Sequence, residues 1–153
     1  MKLVASAIGV ALVLIYVVGS GLWVNTGDGW YRGLNQPSWQ PPDFIFGIIW
    51  PYNFIVLGFA AVIVSQRLSA ALVATYLSVF AITVACALTW AYQFYRPHNL
   101  EAASVALTIV AALTIFLVVI AARASWPLAL ALVPYQLWVI TASYLSWTYA
   151  RLN

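Results

Sequence analysis

The sequence contains very little charge, one cysteine and one histidine. Of its 153 residues, six are Lys or Arg and three are Asp or Glu, which together make 6% of the chain. Soluble domains carry about 25% charged residues, so this scarcity argues against a water-soluble fold. The single cysteine, Cys86, cannot form a disulfide within one chain, and no metal site is expected. The basic residues are scattered singly, which argues against nucleic-acid binding.

Hydrophobic residues make up 65% of the chain and form long runs between the charges. A helix needs about 20 consecutive apolar residues to cross a bilayer. Five windows meet this requirement: 3–24, 44–65, 68–94, 102–122 and 126–150. A transmembrane barrel would show shorter segments of alternating polarity. The sequence therefore predicts an all-α integral membrane protein, a five-transmembrane-helix bundle in one domain that covers 1–153.

The connections between the predicted spans are short, apart from the first one, at 25–43. Short connections require consecutive helices to pack antiparallel, whereas the long first loop is a candidate lid. Proline suits the first turn of a helix, so Pro42 and Pro127 are expected to mark the starts of the second and fifth spans. Three basic residues fall on each side of the predicted bundle, so the positive-inside rule leaves the orientation open.

Aromatic residues are the second unusual feature, with eight Trp, nine Tyr and seven Phe. Those near span ends, such as Trp126 and Trp147, suit the aromatic belt of a membrane interface. Trp50, Trp90 and Trp138 instead lie well inside three different spans. Aromatic side chains facing each other there would either pack the helices together or form the walls of a pocket for a flat ligand, and spacing alone leaves both interpretations open.

Several motifs resemble one known family, the tryptophan-rich sensory proteins, also called translocator proteins or the TspO/MBR family. The first loop and second span carry the signature Trp30-Tyr31, Leu34, Gln36-Pro37, Trp39, Pro41-Pro42, Phe46 and Trp50. The fifth span carries Val133-Pro134-Tyr135 followed by Trp138, and the chain ends in Arg151-Leu152-Asn153. The resemblance extends over the whole chain, including the five spans and the long first loop.

The resemblance implies a ligand cavity that opens toward the first loop, with Trp39 in the lid. Family members are reported to bind porphyrins, sterols and drug-like molecules, and are usually dimers. The ligand-binding residues expected on this basis are Trp39, Phe46, Trp50, Asn53, Phe54, Ala87, Trp90, Tyr135, Trp138 and Ala142. No cofactor is expected to be required, beyond a bound porphyrin or other apolar ligand.

Three positions depart from the family pattern. Ala87 stands where the family commonly has Asn, Phe54 where it has Tyr, and Ser146 follows Leu145 where it has Asn. Each change removes or shrinks a polar group, so the pocket is expected to favour apolar ligands such as a carotenoid, a sterol-like lipid or a quinone, as well as a porphyrin. Tyr52, Asn53 and Gln93 are the polar groups left nearby.

Three functions are consistent with these features. The first is a membrane receptor or carrier for a porphyrin, sterol or isoprenoid-type molecule, with a regulatory or transport role. The second is an enzyme that degrades porphyrin with light and oxygen, in which Trp50 and Trp138 act as redox-active neighbours. The third is an accessory subunit of a larger membrane complex. A homodimer in contact with membrane lipid is expected, in a bacterial inner or outer membrane.

Overall fold

The computed structural model describes all residues from 1 to 153. It contains six helices and no strands. The helices are α1 (Lys2–Trp23), α2 (Gly29–Gly33), α3 (Asp43–Arg67), α4 (Ala70–Tyr95), α5 (Leu100–Ala124) and α6 (Trp126–Leu152). All except α2 are long and apolar enough to cross a membrane. The prediction of an all-α membrane protein with five spans is confirmed, and the span ends differ from the predicted ones by at most two residues.

Local sequence signals explain where the helices begin. Pro42 is the N-cap residue of α3, and Pro127 lies in the first turn of α6, where a missing N–H group leaves no partner unsatisfied. The Asn99 side chain accepts a hydrogen bond from the Ala102 N–H and caps α5. Asp28 caps the short helix α2 in the same way. This helix is not predicted by the sequence pattern, which indicates a loop at these residues.

The five long helices form a closed ring in the order α1, α3, α6, α5, α4. Each helix contacts its two neighbours in this ring, and α3 also touches α4 and α5. The first loop, α2 and the end of α6 share one end of the bundle, which we call the loop end. Lys2 lies at the opposite end, where its ammonium group donates a hydrogen bond to the Gln66 carbonyl.

Two kinds of contact hold the ring together. Between α5 and α6, the hydroxyls of Ser104 and Ser146 lie 2.9 Å apart, as do those of Thr108 and Ser143. Between α1 and α3, a Cβ built on Gly9 would lie 2.5 Å from the Ala61 Cβ. In lipid, close backbone approach and hydrogen bonds between helices replace the hydrophobic driving force available in water.

Candidate functional site

Five aromatic rings from three helices meet inside the bundle, and we call them the inner aromatic cluster. Its members are Tyr16 of α1, Phe46, Trp50 and Phe54 of α3, and Trp138 of α6. The ring centroids of Phe46 and Trp138 lie 5.0 Å apart, and those of Trp50 and Trp138 lie 6.4 Å apart, both edge-to-face. Trp50 stacks on Phe54 at 5.6 Å. The structure therefore brings four of the predicted ligand-binding residues into one group.

Helical spacing explains this convergence. Phe46, Trp50 and Phe54 recur every four residues, so they form one stripe along α3. This stripe faces α6, where Trp138 is 8% exposed. Tyr16, which was not among the predicted site residues, closes the cluster from α1 with its ring 5.1 Å from that of Phe54. One signal was available, because a lone tyrosine inside an apolar span carries a hydroxyl that needs a partner.

Next to the inner aromatic cluster lies a set of buried polar side chains whose polar atoms have no hydrogen-bond partner in the protein. Asn53 and Tyr135, both predicted site residues, are completely buried, and so is Tyr76 of α4. Neither the Asn53 amide nor the Tyr135 hydroxyl is hydrogen-bonded, and the same holds for the indole N–H groups of Trp90 and Trp138. Such atoms are uncommon in folded proteins, and each one needs an explanation.

A second aromatic group closes the loop end, and we call it the loop-end cluster. It contains Trp30, Tyr31, Phe94, Tyr95 and Tyr149. Trp90, predicted to line the pocket, contacts Phe94 and Tyr95 of this cluster at 6.0 and 6.2 Å. Trp90 also packs against the main apolar core, as Trp50 does, but it forms no direct ring pair with Trp50 or Trp138. A common pocket for these three indoles stays a prediction.

The remaining predicted residues lie at the edges of these groups. Trp39, the predicted lid residue, is 41% exposed and stacks on Tyr144 of α6 at 5.0 Å. Ala87 is buried and Ala142 half-buried, both packed in the main apolar core. Tyr52 is at the surface, where its hydroxyl donates a hydrogen bond to the Ala131 carbonyl and does not face the site.

The first loop is fastened over the bundle by polar contacts. The Tyr149 hydroxyl donates a hydrogen bond to the Gln40 side chain. The Asn35 N–H donates to the Asn153 side chain at 2.7 Å, and the Asn35 amide donates to the Leu152 carbonyl at 3.1 Å. The loop is therefore an ordered cover held by the end of α6.

Two cavities lie at the loop end. One, of about 260 Å³, is lined by residues that include Trp23, Asp28 and Arg96. The other, of about 460 Å³, is lined by residues that include Trp30 and His98. The His98 ring stacks on Trp30 at 3.7 Å with an interplanar angle of 9°. Both cavities lie beside the first loop, and neither is lined by a residue of the inner aromatic cluster.

Comparison with known proteins agrees with this geometry. The profile of the TspO/MBR family matches residues 7–152. The chain belongs to the TspO/MBR family. It is 32% identical to the tryptophan-rich protein TspO of Chlorobaculum tepidum, over 97% of this chain and 94% of that protein. It is 29% identical to the protein CrtK of Rhodobacter capsulatus, over 81% and 78%, and 28% identical to the human translocator protein, over 85% and 80%.

Membership of the TspO/MBR family makes this chain a multi-pass integral membrane protein. The family is known for membrane sensory and translocator proteins. Its resemblance to this chain, inferred above from the aromatic and proline motifs, is confirmed. The assignment of ligand-binding roles to particular residues stays a prediction.

Proposed function

We propose that this TspO/MBR protein is a membrane receptor or carrier that binds a flat apolar ligand in its inner aromatic cluster. Porphyrin-like molecules, sterols and carotenoids belong to this class. The observation that carries the proposal is the meeting of five aromatic rings from α1, α3 and α6 inside the membrane-spanning bundle. The relatives named as translocator and tryptophan-rich proteins support it.

The chemistry of the cluster suits a conjugated or polycyclic ligand. Each favourable aromatic contact contributes about 0.5 to 1.5 kcal/mol beyond the burial of area. The rings of Phe46, Trp50 and Trp138 contact each other directly, so a ligand would enter by separating them and exchanging ring–ring contacts for ring–ligand contacts. Phe46 and Trp50 are only half-buried, which leaves one side of the cluster accessible along α3.

The fastened first loop completes this arrangement. It covers the end of the bundle toward which Phe46 lies, and its attachment to α6 through Asn35 and Gln40 uses a few side-chain hydrogen bonds. Each such bond contributes about 0.5 to 1.5 kcal/mol. The cover can therefore open at a modest cost in free energy, as a ligand entrance requires.

The test is a fluorescence titration of purified protein with protoporphyrin IX in detergent. Changing both Trp50 and Trp138 to Phe should weaken binding about tenfold, equivalent to about 1.4 kcal/mol, because both indoles lose ring area and N–H groups. Porphyrin emission provides the readout, since the variant lacks two of the tryptophans. Trp126→Phe is the matched control, because Trp126 is 66% exposed at the far end of the bundle. Unchanged affinity in the double variant would refute the assignment.

A further inference from the structure

Four buried side chains in the middle of the bundle have polar atoms without a partner, and we call them the polar group. They are Tyr16 of α1, Asn53 of α3, Tyr76 of α4 and Tyr135 of α6. Asn53, Tyr76 and Tyr135 are completely buried, and Tyr16 is 2% exposed. The Tyr135 hydroxyl lies near those of Tyr16, Tyr76 and Thr114, but its distances and angles to them do not meet hydrogen-bond geometry. The side chains therefore converge from separate helices.

The polar group adjoins the inner aromatic cluster on the side away from the loop end. Asn53 follows Trp50 by three residues on α3, and Tyr135 precedes Trp138 by three residues on α6. Because the two helices run in opposite directions, both polar residues lie about 4.5 Å deeper than the neighbouring tryptophan. Tyr16 belongs to both sets, since its ring contacts Trp50 and Phe54.

Polar atoms without partners are costly in this position. Water cannot reach fully buried groups from the surrounding hydrocarbon, so every polar atom there needs an internal partner. Leaving a buried hydroxyl or amide unpaired is unfavourable compared with hydrogen-bonding it. Five such atoms belong to the polar group, because both polar atoms of the Asn53 amide are unpartnered. A bound molecule with hydrogen-bonding atoms would satisfy several of them at once.

The absence of charged side chains near the polar group limits the chemical class of the bound molecule. Apart from the tyrosines, the buried polar residues are Ser, Thr and Asn, and no Lys, Arg, Asp or Glu is buried. An anionic or cationic group placed here would have no counter-charge, which is strongly unfavourable in an apolar interior. The tyrosine hydroxyls and the Asn53 amide both donate and accept hydrogen bonds. The site therefore suits a neutral group.

We propose that the polar group is a binding site for a neutral hydrogen-bonding group, supplied by water or by the polar end of an otherwise apolar ligand. If water supplies the group, the site is hydrated in the ligand-free protein. If a ligand supplies it, the polar group is the deep end of the ligand site, and this case rests on the proposed function. In that case the preferred ligand is apolar along its length and carries a carbonyl, ester or hydroxyl at its inner end.

The ligand-free protein tests the first source. If water is hydrogen-bonded to the Tyr135 hydroxyl, Tyr135→Phe should lower the thermal unfolding midpoint in detergent, because a satisfied hydrogen bond is lost. If the hydroxyl is unpaired, the same change should leave the midpoint unchanged or raise it. Tyr144→Phe is the control, since Tyr144 is 59% exposed. Should Tyr135→Phe fail to fold, Tyr16→Phe gives the same comparison.

Porphyrin binding tests the second source. The dimethyl ester of protoporphyrin IX should bind at least as tightly as the diacid, and Asn53→Leu or Tyr135→Phe should weaken ester binding several-fold. Diacid binding about tenfold tighter than ester binding would overturn the preference for a neutral group. A midpoint not lowered by Tyr135→Phe, together with unchanged ester affinity, would overturn the whole proposal. If neither porphyrin binds the wild-type protein, the proposed function fails, and the ligand-free experiment still decides on water.

Discussion

The inner aromatic cluster and the loop-end cluster contain the same kinds of residue but differ in the hydrogen bonding of their buried polar atoms. No residue of the loop-end cluster has a buried polar atom without a partner, and Tyr149 is hydrogen-bonded to Gln40. In the inner cluster, the Tyr16 hydroxyl and the Trp138 N–H are both unpartnered. A satisfied aromatic group stabilises a closed structure, whereas an unsatisfied one leaves hydrogen bonds available to a ligand. On the proposed function, the inner cluster is therefore the ligand site and the loop-end cluster is structural.

The largest effect is expected from removing the central ring of the loop-end cluster, that of Phe94. Phe94 is 3% exposed and contacts five aromatic rings, those of Trp30, Tyr31, Trp90, Tyr95 and Tyr149. Phe94→Ala should lower the free energy of unfolding by about 3 to 5 kcal/mol, because a large cavity is left behind. Phe59→Ala, at a side chain that is 62% exposed, is the control.

Unfolding in mixed detergent micelles, followed by circular dichroism, measures this loss. Porphyrin affinity of the variant that remains folded should stay close to wild type, since none of the inner cluster is altered. A large loss of affinity without a loss of stability would contradict the division between the two clusters.

The inner cluster can be disturbed selectively through α1. Gly9→Leu would force α1 away from Ala61 and move Tyr16 from Trp50 and Phe54. Overpacking of this kind costs about 1 to 3 kcal/mol, and porphyrin affinity should fall with stability. Gly21→Leu is the matched control, because a side chain added there meets no atom within 4 Å. Equal behaviour of the two variants would show that the α1–α3 contact does not shape the site.

A smaller effect is expected at the bond that fastens the cover. Tyr149→Phe keeps the ring in the loop-end cluster but removes the hydrogen bond to Gln40. The free energy of unfolding should fall by about 1 kcal/mol, and porphyrin association should become faster because the loop opens more readily. Stopped-flow fluorescence measures the rate, with Tyr92→Phe as the control at an exposed, unbonded hydroxyl. An unchanged association rate would show that loop opening does not limit entry.

The smallest effect is expected at the stack between His98 and Trp30. His98 has a positive φ of 59°, a conformation in which asparagine is also favoured. His98→Asn therefore removes the aromatic contact without straining the backbone. The contact contributes at least about 0.5 kcal/mol, so limited proteolysis should cut the first loop faster. Identical cleavage of variant and wild type would indicate that α2 is held by its other contacts.

The membrane topology could be predicted from the sequence because charge is almost confined to the ends of the spans. The starts of α3 and α6 followed from Pro42 and Pro127 for a similar reason, since proline fixes a first turn. Helix α2 was missed because its five residues, Gly29–Gly33, contain two glycines and depend on the Asp28 cap and on packing of Trp30 and Tyr31.

The candidate site could be predicted only in part. Trp50 and Trp138 could be singled out because they lie well inside their spans, and the ligand-binding roles of Phe46 and Phe54 followed from family resemblance. Which way the other helices face was harder to predict, because membrane spans are apolar on all sides and their polarity pattern says little about orientation. Tyr16 and Tyr76 were therefore overlooked. The pocket role of Trp90 stays a prediction, since this side chain packs against both the main apolar core and the loop-end cluster.

The hydrogen bonds of Asn35 with Leu152, the last residue of α6, and with Asn153, which follows it, have a practical consequence for handling the protein. The side-chain amide of Asn153 is hydrogen-bonded to Asn35 of the first loop, so an affinity tag or fluorescent protein joined at Asn153 would disturb these contacts. Fusions joined before Lys2 lie on the opposite membrane face and avoid this interference, since five spans separate the two ends.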